Sequence, residues 1–86
     1  APHPNPFNPV VRIPFTLAQA QRARVAIYDF VGRRVATVAE RTFAAGRQEV
    51  VWRGVDGQGA AVASGGYVVK VEGESGQDSR RITLLR

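Results

Sequence analysis

Residues 24–41 run Arg24-Val25-Ala26-Ile27-Tyr28-Asp29-Phe30-Val31-Gly32-Arg33-Arg34-Val35-Ala36-Thr37-Val38-Ala39-Glu40-Arg41, the pattern of a β-hairpin. Its first part alternates. Val25 and Ile27 fall on one side of an extended chain, Ala26 and Tyr28 on the other. Asp29-Phe30-Val31-Gly32 then brings turn chemistry: a carboxylate able to accept from amides just ahead, and a glycine free to take positive φ. Arg34–Arg41 returns as the second strand of a hairpin. Its Val35 and Val38 stand three apart, out of step with a period of two, which predicts a bulge or an edge position.

The same grammar continues toward the C-terminus. Ala44-Ala45-Gly46 turns the chain into Arg47–Arg53, where Val50 and Trp52 share a face. Residues 54–66 are rich in glycine and read as a loop with one short pairing at Ala61–Ala63. Tyr67, Val69 and Val71 alternate with Val68 and Lys70, Gly73–Asp78 turns, and Ser79–Arg86 closes with Ile82 and Leu84 on one face. Strands at this spacing predict an all-β antiparallel sandwich of about seven strands. Its expected core is Val25, Ile27, Val50, Trp52, Tyr67, Val69, Ile82 and Leu84.

On the N-terminal side, all five prolines lie within residues 2–14. Proline lacks the amide donor and biases its predecessor away from the α region, so this stretch is not helix. Residues 1–9 are expected to form a Pro-rich arm packed on the domain, anchored by Phe7, with 10–86 as a single domain. Pro14 inside Val10–Leu17 demotes that segment to an edge strand. Leu17–Arg24 has helix-forming composition, but about two turns without an apolar stripe make a marginal helix, and a loop is expected.

Composition bounds the function. Eighty-six residues leave room for one core, since so short a chain buries only ~60% of its unfolded surface. With no cysteine there is no disulfide framework and no thiolate zinc site. No apolar run is long enough for a spanning helix or a signal peptide, and the opening at Ala1 suggests a piece cut from a longer precursor. The net charge of +5 concentrates in residues 22–53, where seven arginines face Asp29, Glu40 and Glu49. Such a balance raises nucleic acid as a partner, but the arginines stand singly or in pairs among apolar residues, as on a solvated strand face. We expect no nucleic-acid partner, no small-molecule substrate and a monomer.

Candidate chemistry is thin. His3, the sole histidine, lies in the arm, so a Ser–His–Asp triad has no base in the core. Glu40 and Glu49 bracket a loop as a glycosidase pair can, yet both sit among arginines and read as ion-paired. Asp56-Gly57-Gln58-Gly59 lacks the several carboxylates of a calcium loop and reads as a turn. Its glycines do not lead from a strand into a helix, so they form no phosphate cradle. Trp52, Tyr28 and Tyr67 could stack sugars, but Trp52 and Tyr67 share parity with core valines. No enzyme activity, metal or cofactor is expected.

His3-Pro-Asn-Pro-Phe-Asn-Pro9, followed by Arg12-Ile13 and Phe15-Thr16-Leu17, resembles the opening of a bacterial Ig-like family. Its members are the C-terminal sorting domains of the type IX secretion pathway and similar Ig-like domains of flagellar hook-cap proteins. Tyr28-Asp29 with Gly32-Arg33 is similar to the family's hairpin, Ser64-Gly65-Gly66-Tyr67 to its Ser-Gly-x-Tyr motif, and Arg80–Arg86 to its basic-then-aliphatic ending. Arg53 stands where an acidic residue is usual, and His3 where an aromatic is.

The resemblance implies an Ig-like fold and a transport tag. Such a domain follows an N-terminal cargo domain in one precursor. It crosses the periplasm and is recognised by an outer-membrane secretion translocon, which delivers the cargo to the cell surface or medium. The residues expected to carry recognition are Gly65, Tyr67, Arg81, Ile82, Leu84, Leu85 and Arg86, with the last strand as a template for edge pairing. The alternative is a structural Ig-like spacer or assembly module, hook-cap-like or accessory to a secreted, carbohydrate-associated enzyme.

Overall fold

The computed structural model describes residues 9–86. The expected arm, with His3 and Phe7, lies outside the described residues except for Pro9. Six strands follow in order: β1 (Val11–Leu17), β2 (Gln21–Tyr28), β3 (Arg34–Phe43), β4 (Gly46–Trp52), β5 (Gly65–Gly73) and β6 (Gly76–Leu84). They form two antiparallel sheets, β1-β4 and β3-β2-β5-β6, with no helix among the described residues. This is an Ig-like sandwich with six strands rather than about seven. The missing candidate is the pairing near residue 61, which is reduced to the isolated bridge Val55↔Ala61. Asp56 closes that turn so tightly, with its N–H on Ala60 O at 2.8 Å, that only one pair forms.

β3 resolves the odd spacing of its valines. Ala39 pairs with Val25 and Thr37 with Ala26, leaving Val38 as an extra residue. Ala36 pairs with Ile27 and Arg34 with Tyr28, leaving Val35 as another. Two bulges on an edge strand let both valines pack against the core from one strand.

Two boundaries differ from the sequence expectation. Residues 21–24, expected as loop, are the first half of β2, and only residues 18–20 turn. β2 is hydrogen-bonded by β3 on one side and β5 on the other, and this pairing overrides the helical composition. The turn expected over residues 73–78 shrinks to Glu74-Ser75, because Gly73 already pairs with Gly76. Buried Gln21 holds it: its Oε1 accepts from Ser75 N at 3.2 Å and Ser75 Oγ at 3.1 Å, while its Nε2 donates to Gln19 O.

The core fills the space between the sheets. Seven of the eight residues expected there are buried, and Ile82 is half-buried against the cluster. β1 contributes Ile13, Phe15 and Leu17 despite Pro14, which points outward on the strand's exposed face. Two edge-to-face aromatic pairs join the sheets, one toward each end. Trp52 meets Tyr67 and Phe15 meets Phe43, each with centroids 5.2 Å apart. Trp52 Nε1 donates to Val55 O at 2.9 Å and Tyr67 Oη to Ala63 O at 2.6 Å. The second is a tyrosine corner, the hydroxyl bonding to backbone a few residues upstream. Truncating a buried Trp costs ~3–5 kcal/mol, against ~5–15 for a whole domain. Trp52→Ala should leave the domain largely unfolded or lower its melting temperature by many degrees, as read by circular dichroism. A melt within a degree or two of the parent would remove Trp52 from this role.

Candidate functional site

The seven residues expected to carry recognition do not form one surface. Gly65 opens β5 at φ +146° and pairs with Leu84. Tyr67 and Leu84 are buried, and Ile82 packs beside them. These four build the sandwich. Arg86 is turned back on the loop between β4 and β5: its N–H bonds Ser64 Oγ at 3.0 Å, its Nε bonds Val62 O at 2.6 Å, and its guanidinium also reaches Gly54 O. It clamps that loop. Arg81 and Leu85 remain exposed, Leu85 at 76%.

Arg81 belongs to a cluster that strand parity alone did not single out. It lies opposite Val68 on the outer face of the four-stranded sheet, beside Tyr28 and Lys70. Phe30, from the β2–β3 turn, folds over this face. Phe30 is 64% exposed, yet its ring lies so close to Gly66 that a Cβ there would come 2.5 Å from Phe30 Cζ. The Arg81 guanidinium stands 5.8 Å from the Phe30 centroid and Lys70 Nζ 4.6 Å from that of Tyr28. Together with Val68 these residues border a shallow depression of ≈ 540 Å³. The signal available in the sequence was Phe30-Val31, two large apolar residues inside a turn, both exposed.

The turn beneath is stiff. Asp29 Oδ1 accepts from Arg33 N at 2.9 Å and Val31 N at 3.1 Å, and Oδ2 from Arg33 Nε at 3.2 Å. The Arg33 amide above all, with the Arg33 charge, holds the Asp29 carboxyl below the usual carboxylate range, against a partial desolvation that opposes it. Acids of the outer face gather at its other end, where Glu72 binds Arg24 at 2.7 Å and Glu74 accepts from Arg22 N at 3.0 Å. The hydrogen bond and charge of Glu72 push the Arg24 guanidinium above its ordinary value. Among the described residues, Arg34, Lys70 and Arg81 have no carboxylate partner, the ion pairs being Arg12–Glu49, Arg24–Glu72 and Arg33–Asp29. The face is therefore polarised, basic and aromatic at the Phe30 end.

The remaining candidates are absorbed by structure. Glu49 pairs with Arg12 on the two-stranded sheet, while Glu40 stands opposite Arg24 on the other. The Asp56 carboxylate accepts from Gln58 N and Ala60 N of its own turn. Trp52 and Tyr67 are in the core and offer no stacking platform.

Two antiparallel sheets locked by an inter-sheet aromatic pair and a tyrosine corner define an Ig-like domain. The FlgD Ig-like domain model matches residues 11–77, most of the chain, and the chain belongs to that family. No curated protein and no solved structure matches it. The match spans β1 to the start of β6, so Arg81, Ile82, Leu84, Leu85 and Arg86 lie beyond the matched residues.

Because the folded state lowers the Asp29 pKa, its charge contributes stability that is complete above the ordinary aspartate value near 3.8. That contribution fades as pH falls through the lower folded value. Asp29→Asn, which keeps one acceptor and removes the charge, should melt lower than the parent at pH 7. The gap should close as the solution is taken below the ordinary aspartate range. An equal gap at neutral and strongly acid pH would show that the charge contributes nothing.

Proposed function

We propose that the domain is a non-catalytic Ig-like structural module of a larger protein. One observation carries this reading. The aromatic residues that the sequence offers for stacking a sugar, Trp52 and Tyr67, pack against each other, and their polar atoms are spent on Val55 O and Ala63 O. Family membership agrees, since the match is to the Ig-like domain of FlgD. In this reading the partners are neighbouring domains of the same precursor and the assembly it joins, as in a hook cap.

A finer reading is that the module sorts a cargo through type IX secretion, by way of the periplasm and an outer-membrane translocon, to the surface or medium. The observation favouring it is that β6 is an edge strand of the four-stranded sheet and presents Arg81 on its outer face. An edge strand is a template for pairing with a second chain.

Residues 1–86 fused behind a periplasm-targeted reporter, in a bacterium with a type IX translocon, separate the two. Sorting requires the reporter to appear at the surface or in the medium. Retention of a folded fusion in the periplasm, in a host that exports its own cargo normally, leaves the structural module and removes sorting. Arg81→Glu is the cleaner probe of recognition, because Arg86→Glu would also break the clamp on the β4–β5 loop. The module reading itself fails if the isolated domain turns over a substrate, or if an insoluble polysaccharide captures it through Trp52.

A further inference from the structure

We infer that the Phe30 end of the outer sheet face is a docking site for an acidic, extended peptide segment. An apolar side chain of that segment enters the depression between Tyr28 and Phe30, and its carboxylates meet Lys70 and Arg81. The inference rests on the module reading and names the kind of partner such a module takes.

Three observations support it. The first is preorganisation. Phe30 is exposed, yet the three bonds from Asp29 fix its turn and the bare Gly66 backbone seats its ring. A rigid aromatic anchor loses little freedom on binding. The second is charge. Lys70 and Arg81 lie against rings with no carboxylate partner among the described residues, and Arg34, opposite Tyr28 on β3, adds positive charge to the same face. Asp29, the one acid in the depression, is committed to Arg33 and its own turn. The third is position. The depression reaches from Tyr28 on β2 across Val68 and Lys70 on β5 to Arg81 on β6, so an extended chain laid across the face meets both cations. A second copy of this chain fits the site poorly, because the acids at the far end of its own face, Glu72 and Glu74, are already bonded to Arg24 and the Arg22 amide, and its net charge is +5.

The test uses two synthetic peptides, nine residues each, alternating Val with Glu or Val with Lys, titrated into the isotope-labelled 86-residue chain. The Glu peptide should shift the amide resonances of Phe30, Val68, Lys70 and Arg81, and the Lys peptide should not. K70E/R81E should weaken the Glu peptide at least about tenfold, the scale of two lost surface pairs replaced by repulsion, and gain affinity for the Lys peptide. Gly66→Ala, which unseats Phe30 without touching a charge, should also weaken the Glu peptide while leaving the melt cooperative. Parent and K70E/R81E binding alike, shifts confined to β1 and β4, or no shift at millimolar peptide would each overturn the proposal. So would an oligogalacturonate that shifts these residues when the Glu peptide does not, since the face would then take an acidic sugar. Should K70E/R81E fail to fold, the Gly66→Ala result and the choice between the two peptides decide alone. The module reading is tested by substrate turnover and by polysaccharide capture through Trp52, which are independent of these readouts, so failure here leaves it standing.

Discussion

Trp52 and Tyr67 meet edge to face between the two sheets, with ring centroids 5.2 Å apart. Trp52 comes from the two-stranded sheet and Tyr67 from the four-stranded one, so their edge-to-face meeting fixes how the layers stack. Each ring also sends its polar atom back to the chain that links them. The indole binds Val55 O, just after β4, and the phenol binds Ala63 O, just before β5. The crossover between sheets is thereby pinned at both ends by the residues it connects. Val62 N to Gly54 O, and Arg86 to Val62 O, add rungs across the same loop. A small core without disulfides gains most from groups that fill volume and satisfy buried polar atoms at once.

That closure has a consequence on the far side of the sheet. With Tyr67 and Val69 committed inward, strand alternation sends Gly66, Val68 and Lys70 outward. Gly66 leaves room for Phe30, and Phe30 in turn stands beside Arg81. The inner packing therefore sets the outer surface by parity alone. The charges then sort along the strands, Glu72 and Glu74 near the β5–β6 turn and unpaired cations near the β2–β3 turn. A chain of net charge +5 so acquires one localised basic surface on this face instead of an evenly solvated one.

Much of this was legible in the residues, for physical reasons. Alternation at Val25/Ile27 and Tyr67/Val69/Val71 marked the central strands, because a sheet face buried on one side admits no other spacing. The three-residue step from Val35 to Val38 signalled the bulges, since only extra residues reconcile it with pairing to β2. Gln21–Arg24 was misread because its strand state comes from neighbours on both sides and not from its own composition. The extra strand near residue 61 was overcounted because a turn signal does not say how many pairs follow it. Nothing local to Arg86 shows that three loop residues, Gly54, Val62 and Ser64, converge on it. The Phe30 cluster is not legible in the sequence for a related reason: it joins a turn to residues of three strands, two of which, β5 and β6, are distant from that turn in the chain.

Native-state hydrogen exchange of the Trp52 indole N–H tests most directly whether this aromatic lock governs the fold. If the lock opens only when the sandwich unfolds, the indole should exchange with the same free energy as the slowest amides of β2 and β5, within about tenfold in protection. An indole proton exchanging orders of magnitude faster, while those amides stay protected, would contradict it. The sheets would then be held together without the Trp52–Val55 bond, and the crossover loop would open independently of the core.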